Sequence, residues 1–286
     1  MSHFITYLAM GEIKQARCAS VAAMVGGMAG SAPISVAVVS ESLAAPNSGF
    51  VVSVNAIPVS VIFMDREIPP DAWETAAKSS LTWPNASDVF AASRSHIVVA
   101  ALSSSVSHSS ALAGAVAVTM VAGALAKLLP IVGSIFAESN AVVEGSSIAT
   151  MAEDFAQKRE IPEILWVSLH FFRSEHLYSG VPLVGALTTG LFPFIGREIE
   201  FEPAALRPTE VAQRVFGLCQ YLMLNGLVIK DGDTVGNTLE EKIIATFVSE
   251  GRRSGVPVLR LTTRPPLVSS NPEQPESRKS FGKRVG

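Results

Sequence analysis

Thr188-Thr189-Gly190-Leu191, then Gly196-Arg197-Glu198-Ile199-Glu200, and further on Asp231-Gly232-Asp233-Thr234-Val235-Gly236 are the segments on which the reading of this fold turns. Glycines and carboxylates stand here where a plain core strand would alternate apolar residues, so main-chain geometry and charge are being specified as well as burial. Working outward, Leu183 to Leu187 and Arg197 to Glu202 read as two strands joined by a bend at Gly190 and Gly196. Thr209 to Leu224 reads as a helix, capped by Thr209 after Pro208 and ended by Gly226. Leu227 to Lys230, Lys242 to Val248 and Val256 to Thr262 give further strands, and Leu165 to Arg173 one upstream.

The first half uses the same vocabulary. Ile34 to Ser40, Gly49 to Val54, Val59 to Met64, His96 to Leu102 and Ile131 to Ala137 are strand-like runs. Helices are expected from near Ala72 after Pro69 and Pro70, over Asn85 to Ser93, over Ser109 to Leu129 behind capping serines, and over Ile148 to Lys158. The predicted fold class is α+β, a mixed or antiparallel sheet with packed helices, arranged as two related halves. The predicted organisation is an arm over 1–33, with an irregular helix as the alternative reading up to about Gly30, halves over 34–148 and 149–263, and a tail over 264–286. The Pro, Ser, Asn, Glu and Lys composition of that tail predicts disorder.

Composition excludes several function classes. The 286 residues are 48% hydrophobic and 16% charged, with a formal net charge of -3. A nucleic-acid partner needs concentrated Lys and Arg, which this chain lacks. Arg264, Arg278, Lys279, Lys283 and Arg284 sit against Glu273 and Glu276 in the tail, which leaves the remainder mildly acidic. Two isolated cysteines, Cys18 and Cys219, exclude a disulfide framework and a thiolate zinc site, and they indicate a reducing compartment, the cytoplasm. Lys14 and Arg17 precede an apolar stretch from Ala19 to Ala32, but glycines dilute it and it starts late for an export signal. Ala111 to Ala126 is uncharged yet shorter than the ~20 residues of a membrane span, so a core helix is expected and no membrane partner.

Together with Leu165-Trp166-Val167 and Arg94-Ser95-His96-Ile97-Val98-Val99, the three opening segments resemble the bacterial domain of unknown function 4261 family, in motif order over roughly Ile34 to Thr262. The resemblance implies a fold; the family brings no established activity with it.

Several residues could carry chemistry. Glu198 and Glu200, two apart on a strand, point to one side, where they could share a proton or a cation; the plain alternative is a polar strand face. Asp231, Gly232 and Asp233 begin like a calcium loop, but a tight turn through Thr234 to Gly236, bonded to its own backbone, explains them too. Thr188, Thr189 and Gly190 could form a small anion-binding nest, although Leu191-Phe192-Pro193 is not expected to open a helix. His96, His170 and His176 are histidines that could line a pocket, with core or rim positions as the alternative. The chain has no Gly-x-Ser-x-Gly elbow, and Cys219 reads as core packing, so no catalytic residue, metal or cofactor is assigned.

Two functions remain compatible. The first is a non-catalytic module that binds another protein, such as a toxin or a secretion-linked partner. The second is a small-ligand binder or metal-assisted hydrolase whose acidic pocket would gather Thr188, Thr189, Glu198, Glu200, Asp231 and Asp233.

Overall fold

The β-branched runs of the first half assemble into one antiparallel sheet, and those of the second half into a separate mixed sheet. The structure is a computed structural model that describes residues 4–30, 33–42, 48–80, 82–103, 107–236 and 241–263. The expected disordered tail lies outside the described residues. The observed class is α+β, and the chain divides into two compact units, Met1–Trp166 and Val167–Gly286.

The first unit contains β1 (Ile5–Met10), α1 (Cys18–Ala29), β2 (Val36–Ser42), β3 (Gly49–Val54) and β4 (Ile57–Met64), then α2 (Glu74–Ser79), α3 (Ala86–Ala92), β5 (Ser95–Ala101) and α4 (His108–Leu128). It closes with β6 (Ile131–Phe136), β7 (Ala141–Glu144), α5 (Gly145–Lys158) and the single turn α6 (Glu163–Trp166). Strand order is β2-β3-β4-β5-β1-β6-β7, with every neighbour antiparallel.

The N-terminal segment corrects the expectation of an arm. β1 lies inside the sheet between β5 and β6, with Leu8 opposite Ile97 on one side and Ser134 on the other. α1 buries Cys18, Val21, Val25 and Met28, one helical stripe, while Gly26 and Gly27 face solvent. Those two glycines lower intrinsic helix propensity, so the helix reads as irregular in the sequence and is held in place by tertiary burial.

Ser107 caps α4: its Oγ accepts from the Ser110 amide at 3.3 Å and the Ser110 hydroxyl donates to the Ser107 carbonyl at 2.9 Å. Among the described residues α4 alone is long and apolar enough to cross a membrane, and most of that stretch is buried in the first unit. Its partner helix is α5. Gly123 approaches Ala152 too closely for any Cβ, and Lys127 pairs with Glu153 at 2.5 Å. On the other side of the sheet α2 and α3 hold an aromatic cluster, with Phe90 stacked on Trp73 at 5.7 Å and edge-on to Trp83 at 5.6 Å.

The second unit contains β8 (Ser168–Tyr178), β9 (Val181–Thr189), the single turn α7 (Phe192–Ile195), β10 (Glu198–Ala204), α8 (Pro208–Asn225), β11 (Thr234–Val235), β12 (Ile243–Val248) and β13 (Val258–Thr263). Strand order is β11-β12-β13-β10-β9-β8; β10 and β13 run parallel and the other pairs antiparallel. α8 buries Val211, Val215, Leu218, Cys219, Leu222 and Met223 along one face, against β9 and β10.

The division between units falls after Trp166, whereas the sequence placed its halves on either side of 148/149. α5 stays with the first unit because it packs on α4, and the Trp166 indole donates to Thr119 Oγ1 at 2.9 Å inside the same unit. Three local expectations also change. Leu165 and Trp166 end a helical turn before the strand begins, and Leu227 to Lys230 forms no strand. Phe192–Ile195 does turn helically, because Pro193 fits the first turn, where no amide donor is needed, and Gly196 leaves it at φ 71°.

Candidate functional site

β10 occupies an interior position of the second sheet, yet its side chains at 198, 200 and 202 are all glutamates. Glu198 and Glu200 are buried. Such a strand is tolerable only where each carboxylate finds donors, since an unpaired buried charge costs several kcal/mol.

Glu198 finds them in the bend that precedes it. Its Oε1 accepts from the amides of Gly190 at 3.0 Å and Phe192 at 2.9 Å, and its Oε2 accepts from the Leu191 amide at 3.2 Å and the Thr188 hydroxyl at 2.6 Å. Thr188 Oγ1 in turn accepts the Ile199 amide at 2.7 Å. Gly190 turns with φ 102°, a value that suits glycine, and this conformation aims consecutive amides inward. The Thr188 hydroxyl and the amides of Gly190, Leu191 and Phe192 therefore converge on the chain's own Glu198 carboxyl, and Thr189 takes no part in the group. Burial pushes the Glu198 carboxyl above its ordinary range, while the hydrogen bonds from Thr188, Phe192, Gly190 and Leu191 pull it back.

Glu200 serves a different element. On the parallel partner strand Arg260 stands beside it, with Nη2 3.3 Å from Glu200 Oε1, and the Arg252 amide donates to Glu200 Oε2 at 3.1 Å. Gly251 leaves no room for a side chain against Ser254, Val258 and Glu200. Glu200 thus pins the loop between β12 and β13 to the sheet. Glu202 accepts the Thr262 hydroxyl at 3.0 Å and lies 3.6 Å from Arg252 Nη1 and 3.9 Å from Arg260 Nε.

Asp231 and Asp233 stand apart from these groups. The Phe247 amide donates to Asp231 Oδ1 at 2.6 Å, and the Lys230 amide to Asp233 Oδ2 at 2.8 Å. Gly232, at φ 82°, donates its amide to the Ala245 carbonyl, and Thr234 enters β11 directly after. Gly236 follows β11 with no space for a Cβ beside the Glu241 carbonyl. This turn runs along the outer side of β12, three strand positions from β10, about 14 Å at the usual ~4.8 Å spacing. The predicted convergence of Glu198, Glu200, Asp231 and Asp233 in one pocket therefore does not occur. Among the described residues no three His, Cys, Asp or Glu side chains are grouped to hold a metal ion.

The histidines are equally separate. His96 is buried in the first unit, its Nδ1 2.7 Å from the Arg66 carbonyl and its ring tilted against Tyr7. Burial holds its pKa below the ordinary imidazole value, opposed by the hydrogen bond to the Arg66 backbone. His170 is exposed on β8, and the side chain of His176 lies outside the described part. Thr189, half-buried at the end of β9, pairs in register with Ser168.

The second unit does contain a cleft, of about 540 Å³, between β8, β10 and the loop that Glu200 pins. Phe172, Arg173, Glu175, Glu202, Arg252 and Arg253 line it, with the buried Glu200 beneath them. The guanidinium of Arg253 lies 4.0 Å from the centre of the Phe172 ring. Sequence reasoning missed these residues. Glu202 continues the alternation of Glu198 and Glu200 and could have been found; the arginines become neighbours only through the parallel pairing of β10 with β13 and the loop before it.

Fold and site together define a small mixed-sheet α+β unit with an internally satisfied acidic strand. Residues 187–261, from the end of β9 into β13, match the family described as a domain of unknown function (DUF4261). The match lies wholly in the second unit, so the first-half segment Arg94 to Val99 and the Leu165 to Val167 segment fall outside it. No curated protein and no solved structure matches the chain.

Proposed function

We propose that this protein is a non-catalytic interaction module that binds another protein through its second unit. One observation carries the reading: the carboxylates of the family segments are engaged by main-chain donors. Glu198 holds the β9 to β10 bend, Glu200 the loop at Arg252, and Asp231 the Phe247 amide. Groups arranged this way fix a rigid surface; an acid–base pair or metal site needs carboxylates that converge on a common point. The hydrolase alternative lacks that convergence. Cys18 and Cys219 are both buried and neither is in a disulfide, which supports a reducing compartment, in keeping with the cytoplasm of a bacterial cell. A toxin or a secretion-linked protein is the kind of partner in view.

Affinity capture with the tagged full chain at native abundance, followed by reciprocal capture from the partner's side, tests this. A partner recovered in both directions at near-equal amounts is the expected result. A folded, well-expressed protein that reproducibly brings down nothing counts against an interaction role.

A further inference from the structure

We infer that the arginine-lined cleft of the second unit recognises a carboxylate-bearing segment of the partner protein, an inference that rests on the interaction-module reading. The floor and the rim of the cleft differ in how fully their charges are answered. At the floor, Glu200 has Arg260 and the Arg252 amide, and Glu202 has the Thr262 hydroxyl. At the rim, Arg252 reaches Glu202 only at 3.6 Å and is 68% exposed, and among the described residues neither Arg173 nor Arg253 has a carboxylate within ion-pairing distance. Of the lining carboxylates Glu200 and Glu202 are paired, and the charges still open at the rim are Arg173, Arg253 and most of Arg252 against the one exposed carboxylate of Glu175.

The rim is also built. The Arg253 guanidinium carbon lies 4.0 Å over the Phe172 ring, a cation–π contact that restrains the side chain at the rim while its N–H groups keep their capacity to donate. Its loop is positioned by Glu200 through the neighbouring Arg252 amide, so a buried carboxylate is used to place two arginines at one mouth. Guanidinium forks of this kind take carboxylates through paired N–H···O bonds. A segment of chain suits the site better than a compact molecule, because the cleft lies at β8, the edge strand of the sheet, where an extended chain has room to run. Beyond Glu175 the same strand exposes Leu177, at 62%, and Tyr178 next to it, a place for an apolar residue flanking the acidic ones.

The test measures fluorescence anisotropy of a labelled six-glutamate peptide against the full-length protein, with a six-glutamine peptide as control and inorganic phosphate as competitor. Binding of the glutamate peptide alone is expected, weakening with added salt and falling at least about tenfold in R173A/R253A. Both arginines are exposed, so thermal unfolding of the double variant should match the parent; R173Q and R253Q singly serve if it does not. R253K, which keeps charge but loses the stacked fork, should bind at an intermediate level. Equal binding of both peptides, or undiminished binding by the arginine variants, overturns the inference. Phosphate that binds more tightly than the peptide, and loses its site in the same variants, overturns the carboxylate assignment. A double variant that still captures the cellular partner removes the cleft from recognition while leaving the interaction reading intact.

Discussion

Thr188 stands between a main-chain donor and a carboxylate: its hydroxyl oxygen accepts the Ile199 amide at 2.7 Å while its proton goes to Glu198 at 2.6 Å. One side chain on β9 therefore fixes both the position of β10 and the carboxyl of the residue that begins it. Thr188→Val keeps the shape and removes both bonds, leaving a buried amide and one carboxylate site without partners. The expected loss is about 2 kcal/mol, against about 4 kcal/mol for Glu198→Ala, which strands three amides at once. Thr188→Ser should restore most of the difference. Urea unfolding followed by far-UV circular dichroism is the appropriate measurement, because Trp73, Trp83 and Trp166 all lie in the first unit and do not report on this one.

Glu138 gives the first unit a pH dependence of definite sign. It sits in the turn between β6 and β7, accepts the Ile5 amide at 3.2 Å, and is pushed up to about 7 by burial, with the backbone hydrogen bonds acting in the opposite direction. A carboxyl raised in the folded state holds its proton where the unfolded chain has lost it, so its contribution is complete below the ordinary value near 4.5 and is lost as pH rises towards 7. Above that range the buried charge weighs against the fold. Glu138→Gln should therefore gain on the parent by about 2–3 kcal/mol between pH 4.5 and pH 8. Stability of both proteins by tryptophan fluorescence across that span checks it; parallel pH profiles would remove Glu138 as the cause.

The chain revealed its elements more readily than their neighbours. Apolar, β-branched runs such as Gly49 to Val54 and His96 to Leu102 lie close to observed strands, and the alternation along them shows only in the burial the fold imposes. The fate of Glu198 and Glu200 was half legible. Their shared side of a strand followed from spacing, but which donors answered them depended on a bend closing over Glu198 and a parallel strand arriving 60 residues later with Arg260. β1 was obscured for another reason. Ile5 to Met10 is a fair strand by composition, but its central place comes from β5 and β6 closing on both sides, pairings about 90 and 130 residues away that no local window contains.

Gly123 marks where α4 and α5 touch most closely. A Cβ at this position would run into the Ala152 methyl and press on the Ile148 carbonyl. Neither neighbour is the free end of a long side chain, so the helices themselves must part. Gly123→Ala should lower stability by about 1–3 kcal/mol despite the better helix propensity of alanine. Ala152→Gly combined with Gly123→Ala should recover part of that loss. Tryptophan fluorescence under urea is sensitive here, since Trp166 packs against Phe155 of α5.

Glu200 and Arg260 test whether the acidic strand exists to hold a loop. Both are largely buried, and their side chains meet at 3.3 Å across the parallel pair. Removing one alone leaves the other charge without its partner, so Glu200→Ala and Arg260→Ala should each cost about 3–5 kcal/mol, and Glu200→Met with Arg260→Met together distinctly less than the sum. Stability alone would not separate a simple ion pair from a loop anchor. Hydrogen exchange does, because the Arg252 amide donates to Glu200 and not to Arg260. In the paired methionine variant the charge imbalance is gone, yet the Arg252 amide has lost its acceptor. Faster exchange at Arg252, with β12 and β13 still protected, is expected if Glu200 positions the loop; unchanged protection there would mean that the loop holds its shape without it.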